Sequence, residues 1–101
     1  MAANWRIPAH TILWAAGNLA SPLLRTLGVP LDRQGRVPVN PDCSISGHPE
    51  VFVLGDAAAF AHDGTGMLPG VCPVAIQMGH YAAGAIRQSV AGAVERPRFH
   101  Y

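Results

Sequence analysis

The run Val51-Phe52-Val53-Leu54, stopped at once by Gly55-Asp56, constrains the fold more than any other segment of this chain. Apolar residues in succession, without alternation, suit a strand covered on both faces in a parallel sheet. That predicts an α/β fold and places Gly55 and Asp56 just beyond the strand's carboxyl end, where open α/β sheets bind ligands. A glycine lets backbone approach a ligand closely. An aspartate carboxylate accepts hydrogen bonds from the hydroxyls of a sugar-like chain, each worth roughly 1.5–3 kcal/mol. The same dipeptide also serves simply to turn the chain and cap the next element, and spacing alone does not separate the two readings.

Around this segment the punctuation is clear. His10 to Ala16 is apolar, rich in strand formers and ends at Gly17, so a buried strand with Trp14 in the core is expected. Ser21-Pro22 starts a short helix carrying Leu23, Leu24 and Leu27, and Gly28 closes it. Leu31 to Val39 predicts two short strands joined by a tight turn at Asp32-Arg33-Gln34-Gly35, with Pro38 confining the second to an edge. Pro41 to Pro49 reads as a loop, and Ala61 to Gly70 as a flexible one. Pro73 to Val90 reads as a helix, followed by Gly92, whose small-residue face Ala75, Gly79, Ala82, Ala83 and Ile86 approaches a sheet or cofactor. Its start, Pro73 to Gln77, offers free amides and the positive dipole end to an anion, with the Gln77 amide at the rim. On periodicity alone Gln77 is an ordinary solvated glutamine. Glu95 to Tyr101 reads as a frayed or partner-dependent tail.

Composition removes whole classes of function. A net charge of +1 without any basic run gives no footprint for nucleic acid or an anionic membrane. Cys43 and Cys72 form no CxxC pair, so both are expected as reduced, small apolar residues. His10, His48, His62, His80 and His100 are scattered, and no metal site is expected. The adjacent His62-Asp63 is given no catalytic role, because adjacency does not aim the carboxylate at the imidazole. Met1 to His10 lacks the features of a secretory signal, and no stretch reaches the roughly 20 apolar residues of a membrane span. With half its 101 residues apolar and 13% charged, the chain is expected to leave apolar surface for a partner, Trp5 included. No GxGxxG occurs, so the turn that cradles a dinucleotide pyrophosphate is not expected on this chain.

Three segments carry a resemblance: TILWAAG (Thr11 to Gly17), GRVPVNPDCSISGHPEVFVLGDAAAF (Gly35 to Phe60) and LPGVCPVAIQMGHYAAGAI (Leu68 to Ile86). In this order they resemble type II NADH dehydrogenases of the pyridine nucleotide-disulfide oxidoreductase superfamily, over their middle-to-late portion. The resemblance implies a partial Rossmann-like FAD/NAD(P)-binding fold with short strands, one short helix and one long C-terminal helix. Residues 1–17 would end the NADH module and return the chain, 18–50 form the short helix and hairpin, and 51–92 carry the FAD motif. It implies FAD as cofactor, NADH as electron donor and quinone as acceptor, with no proton pumping.

Carried across, Gly55 and Asp56 match the second FAD motif, whose aspartate holds the ribityl chain. Pro73, Ala75 and Gln77 match the segment beside the flavin ring, Gln77 facing the quinone side, where the helix start would favour a reduced, anionic flavin. Gly17 closes the turn that packs the NADH module against the FAD module. Ala16 replaces a frequent threonine, and Met78 a frequent second glutamine of the quinone rim. The expectation is a cytoplasmic chain, or one at the cytoplasmic face of the inner membrane. It would depend on an N-terminal nucleotide-binding segment absent from this chain, and reach the membrane through a missing C-terminal region. A truncated or split gene product is the simplest such expectation, with no flavin retained through purification. The rival readings are an inactive remnant or interaction module pairing with a separate nucleotide-binding chain, and another FAD-dependent reductase of the superfamily.

Overall fold

Local chemistry sets the first element as expected, with a tighter helix. The computed structural model describes residues 4–62 and 66–101. Ser21 Oγ accepts the Leu23 N–H, Pro22 occupies the first helical position, and Gly28 closes the helix at φ 67°. Pro22–Leu27 is a 3-10 helix with no buried residue, Leu24 alone of its leucines being half-buried. The expected strand over His10 to Ala16 does not form. Ile12, Leu13 and Trp14 are 81, 88 and 89% exposed, so Trp14 is not a core residue. A strand exists only through ladder bonds to a neighbour, and none of the described residues pairs with this segment. With residues 4–19 exposed, the molecule is 63 Å long and has a radius of gyration of 17.7 Å, against about 13 Å for a compact 100-residue domain.

The Asp32 turn forms as expected, but its strands do not pair with each other. β1 (Val37–Pro38) instead lies parallel to β4 (Ala58–Ala59), and Val39 N–H extends the pairing to the Ala59 carbonyl. The expected loop at Pro41 to Pro49 holds β2 (Ser44–Ile45) and the start of β3 (His48–Phe52), an antiparallel hairpin with a register shift between Ser44 and Ile45. Cys43 at φ 66° and Gly47 at φ 83° bend the chain on either side of β2. The strand expected over Val51 to Leu54 is therefore displaced toward its N-terminus and antiparallel, exposed over His48 to Glu50 and half-buried at Val51 and Phe52. Among the described residues its one strand partner is β2, and that pairing is antiparallel.

β5 (Ala61–His62) and β6 (Gly66–Met67) pair antiparallel where a flexible loop was expected, and Leu68 beyond them is buried. Asp63 lies outside the described residues. The fold thus mixes helices with three two-stranded sheets among the described residues.

The long helix α1 (Cys72–Val90) begins one residue before the expected start, with Pro73 in its first turn. Its buried face is Val74, Met78, Ala82 and Ala85. The expected small-residue face is turned partly outward, with Ala83 exposed and Ile86 49% exposed, because Val74 and Met78 bury more apolar area than Ala75 and Gly79. The core joins this face to Val37, Cys43, Ile45, Val53, Phe60, Leu68 and Phe99.

Phe99 corrects the frayed tail. Its ring is 3% exposed and meets Phe60 edge-on at 5.4 Å, and its N–H donates to the Pro41 carbonyl at 2.8 Å. Arg96 Nη1 donates to Asp42 Oδ2 at 3.1 Å and to the Pro49 carbonyl at 2.6 Å, with its guanidinium 4.8 Å from the centre of the Phe52 ring. Tyr81 of α1 donates its hydroxyl to the Pro97 carbonyl. Burial of a Phe side chain contributes roughly 1.5–3 kcal/mol, enough to order a short tail once these polar contacts direct it. Burial pushes the Cys43 thiol up to about 11, with the neighbouring Asp42 charge adding to the effect.

Candidate functional site

Gly55 is fixed by two demands that coincide. Its φ of 63° lies in the left-handed region that side chains disfavour, and a Cβ there would stand 3.2 Å from the Cβ of Ala75. Its N–H donates to Met78 Sδ at 3.2 Å, so the backbone of Gly55 is held against the first turns of α1. Gly55–Ala57 makes one 3-10 turn, closed by the Ala58 N–H on the Gly55 carbonyl, and this turn presents Asp56 to solvent. On the approach to α1, Gly70 lies beside it: a Cβ at Gly70 would be 3.2 Å from Asp56 Oδ1.

Asp56 and Gly70 form one wall of a groove of about 180 Å3, completed by Asn18, Leu19, Ala20, Gln34 and Arg36. Ala20 N–H donates to the Gln34 carbonyl at 3.0 Å, which lays residues 18–20 along the Asp32 turn. Asp32 organises that turn. Its Oδ1 accepts the N–H groups of Gln34 and Arg36 at 2.9 and 2.8 Å, and its Oδ2 accepts Arg36 Nε at 2.8 Å. Burial alone would raise the Asp32 pKa, but the hydrogen bonds from the Arg36 backbone and side chain, with Gln34, outweigh it and hold the carboxyl below its ordinary range. Arg36 is thereby pinned through Nε, with its side chain 17% exposed.

The structure brings together some of the residues singled out from sequence. Gly55, Asp56 and Ala75 meet where the 3-10 turn packs on α1. Pro73 lies exposed in the first turn of that helix, where Val74 and Ala75 both donate to the Val71 carbonyl. Gln77 is exposed and does not line the groove with Asp56. Gly17, at φ 87°, also stands outside the groove, one residue before Asn18. Sequence reading missed Asn18, Gln34 and Arg36 as groove residues. Their one signal was the spacing of Asp32 and Arg36 across a turn, which permits an ion pair to orient the arginine.

The arrangement offers a carboxylate and a guanidinium within one groove, beside a helix start held close by a glycine. It can hydrogen-bond a ligand bearing hydroxyls. At about 180 Å3 the groove is smaller than the roughly 300–1,000 Å3 of a typical ligand pocket, a size that suits a segment of a ligand.

Comparison with known proteins gives the chain's family. The pyridine nucleotide-disulphide oxidoreductase family matches residues 3–79. Two proteins of Mycobacterium tuberculosis, the type II NADH:quinone oxidoreductases Ndh and NdhA, are 47% and 40% identical to the chain, each over 95% of it. A Synechocystis protein, demethylphylloquinone reductase NdbB, is 34% identical over 85% of the chain. In all three the chain spans only 21% of the relative's length.

Proposed function

Because this chain belongs to the pyridine nucleotide-disulphide oxidoreductase family, we propose that it forms the flavin-contacting part of a type II NADH:quinone oxidoreductase. The observation that carries the proposal is Asp56. Its exposed carboxylate stands in the groove on a turn that Gly55 locks against α1. This geometry fits the linear, hydroxyl-bearing part of FAD: the carboxylate accepts hydroxyl hydrogens, and the close packing at Gly55 keeps its backbone from drifting. FAD, when bound, supplies acceptance of a hydride from NADH and delivery of electrons to a quinone.

The chain's own contribution is positioning. Asp56 holds the ribityl hydroxyls, and Pro73 and Ala75 set the start of α1 beside the ring, where its dipole favours negative charge. The exposed Gln77 amide is available to the quinone side. Gly17 ends the segment that returns the chain from the NADH-binding part. In this reading the fold is the late part of a Rossmann-like FAD-binding domain, with residues 51–92 as its FAD-motif segment. The GxGxxG turn for the pyrophosphate comes from another segment. Among the described residues no helix is long and apolar enough to cross a membrane. Contact with the cytoplasmic face of a membrane would then be peripheral.

The test is replacement of the matching segment of the mycobacterial Ndh by this chain. The chimera is expected to purify with bound flavin, visible in its absorbance, and Asp56→Ala to lose most of it. A chimera that folds and binds no flavin, or one that is indifferent to Asp56→Ala, would refute the proposal.

A second reading is favoured by the exposed apolar segment that includes Trp5, Ile12, Leu13 and Trp14, at 80, 81, 88 and 89% exposure. In that reading the chain is an interaction module that docks this segment on a separately encoded nucleotide-binding chain. Mixing the chain with the N-terminal portion of the mycobacterial enzyme would then shift tryptophan emission to shorter wavelength. An unchanged spectrum counts against it.

A further inference from the structure

Arg36 carries more hydrogen-bonding capacity than the fold uses. A guanidinium has five N–H donors, and among the described residues Arg36 uses only Nε, on Asp32. The remaining four belong to a side chain that is only 17% exposed, so their hydration is reduced and an acceptor arriving there displaces little water. Neither Nη is fully enclosed without a partner, so both keep contact with solvent. Arg36 lines the groove that also contains Asp56 and Gly70. A pinned arginine with a free fork, in the lining of a groove, suits a planar or tetrahedral oxyanion. Asp56, itself an anion, repels such a group and accepts hydroxyl hydrogens instead. The groove therefore offers an anion contact and a hydroxyl contact together.

We propose that Arg36 and Asp56 form the two ends of a subsite for a polyol phosphate, Arg36 holding the phosphate and Asp56 the hydroxyl chain. The inference deepens the flavin reading and rests on it: the phosphate nearest the ribityl chain receives a contact from this chain itself, independent of any glycine-rich loop. Asp32 is the positioning residue, since its carboxylate fixes Arg36 Nε and leaves the fork free.

The test is a titration of the full chain with ribitol 5-phosphate, ribitol and inorganic phosphate, followed by NMR at the Gly70 amide and the Arg36 Nε–H. Ribitol 5-phosphate is expected to bind saturably and roughly tenfold or more tighter than ribitol, the usual scale of a charge-assisted contact. Arg36→Gln should bring the phosphate ester down to the level of ribitol. Asp56→Asn should weaken both by a similar factor. Arg36→Lys, which keeps a cation beside Asp32, guards against a folding defect and should retain part of the preference. Equal binding of ribitol and its phosphate, or a preference surviving Arg36→Gln, would overturn the Arg36 assignment. Inorganic phosphate binding as tightly as the ester would overturn the polyol half. Absence of any saturable binding would overturn the subsite. Flavin content of the chimera is read separately, so the flavin reading can stand while the subsite falls.

Discussion

Gly55 and Ala75 meet at the point where the Asp56 turn is seated on α1: a Cβ on Gly55 would lie 3.2 Å from the Cβ of Ala75, at a φ of 63°. Steric and conformational penalties therefore fall on the same position. Gly55→Ala is expected to destabilise the chain by about 1–3 kcal/mol, measured by urea unfolding. Adding Ala75→Gly removes the contact but not the backbone strain, and itself costs about 1 kcal/mol in the helix. The double variant should be less destabilised than the sum of the singles. Strict additivity would mean that the contact carries no energy.

Asp42 makes the tail sensitive to acid. Burial tends to raise its pKa, but hydrogen bonds from the Ser44 side chain and backbone and from Arg96 outweigh it, so the folded value lies below the ordinary one. A depressed carboxyl contributes stability that is fully present above its unfolded pKa, near about 4, and lost as pH falls through the folded value. Asp32 is depressed likewise and acts in the same direction. Unfolding midpoints should hold steady from neutral pH down to about 5 and drop below about 4. Asp42→Asn should flatten that drop, and Arg96→Gln should speed hydrogen exchange at the Phe99 amide, which is bonded to the Pro41 carbonyl. A drop unchanged by Asp42→Asn would assign the acid sensitivity elsewhere.

Legibility in the sequence followed the range of the interactions involved. The α1 helix and the Ser21–Gly28 unit were readable almost to the residue, because Pro73, Ser21, Pro22 and Gly28 act on their own backbone. The Gly55-Asp56 pair was readable as a turn and a candidate site, though not the groove around it, since Arg36 reaches that groove through a pairing of β1 with β4 that joins residues about twenty apart. The β2–β3 hairpin was hidden by Gly47 and Pro49, which signal a loop even when the backbone around them pairs. Arg96 and Asp42 are 54 residues apart, and no local pattern announces such a contact. The His10 to Ala16 run has strand composition, but composition supplies no neighbour. Without one, the residues stay exposed.

The two cysteines should differ sharply in reactivity. Cys43 is 0% exposed, and its thiol, pushed up to about 11, is almost wholly protonated at neutral pH; the thiolate is the reactive form. Cys72 is exposed at the first position of α1. Under native conditions a thiol reagent should modify Cys72 alone, leaving Cys72→Ser unreactive until denaturant is added. Rapid modification of both sites would show that the β2 region opens readily. Slow modification of Cys43 at a rate that follows denaturant would measure that opening.

Gly70 tests the groove without disturbing the core. It is exposed, and a Cβ there would stand 3.2 Å from Asp56 Oδ1, the far end of a flexible side chain that can yield by a few tenths of an ångström. Gly70→Ala should therefore change stability by no more than about 0.5 kcal/mol, as for most exposed substitutions. The carboxylate moves instead, and with it the hydroxyl contact, so ribitol 5-phosphate should bind several-fold more weakly while still preferring Arg36 to Gln at position 36. A branched side chain in Gly70→Val should weaken binding further, because it fills the wall of the groove itself. Full affinity in both variants would place the ligand's hydroxyls away from Asp56, and the reading of this carboxylate as the polyol contact would fail with it.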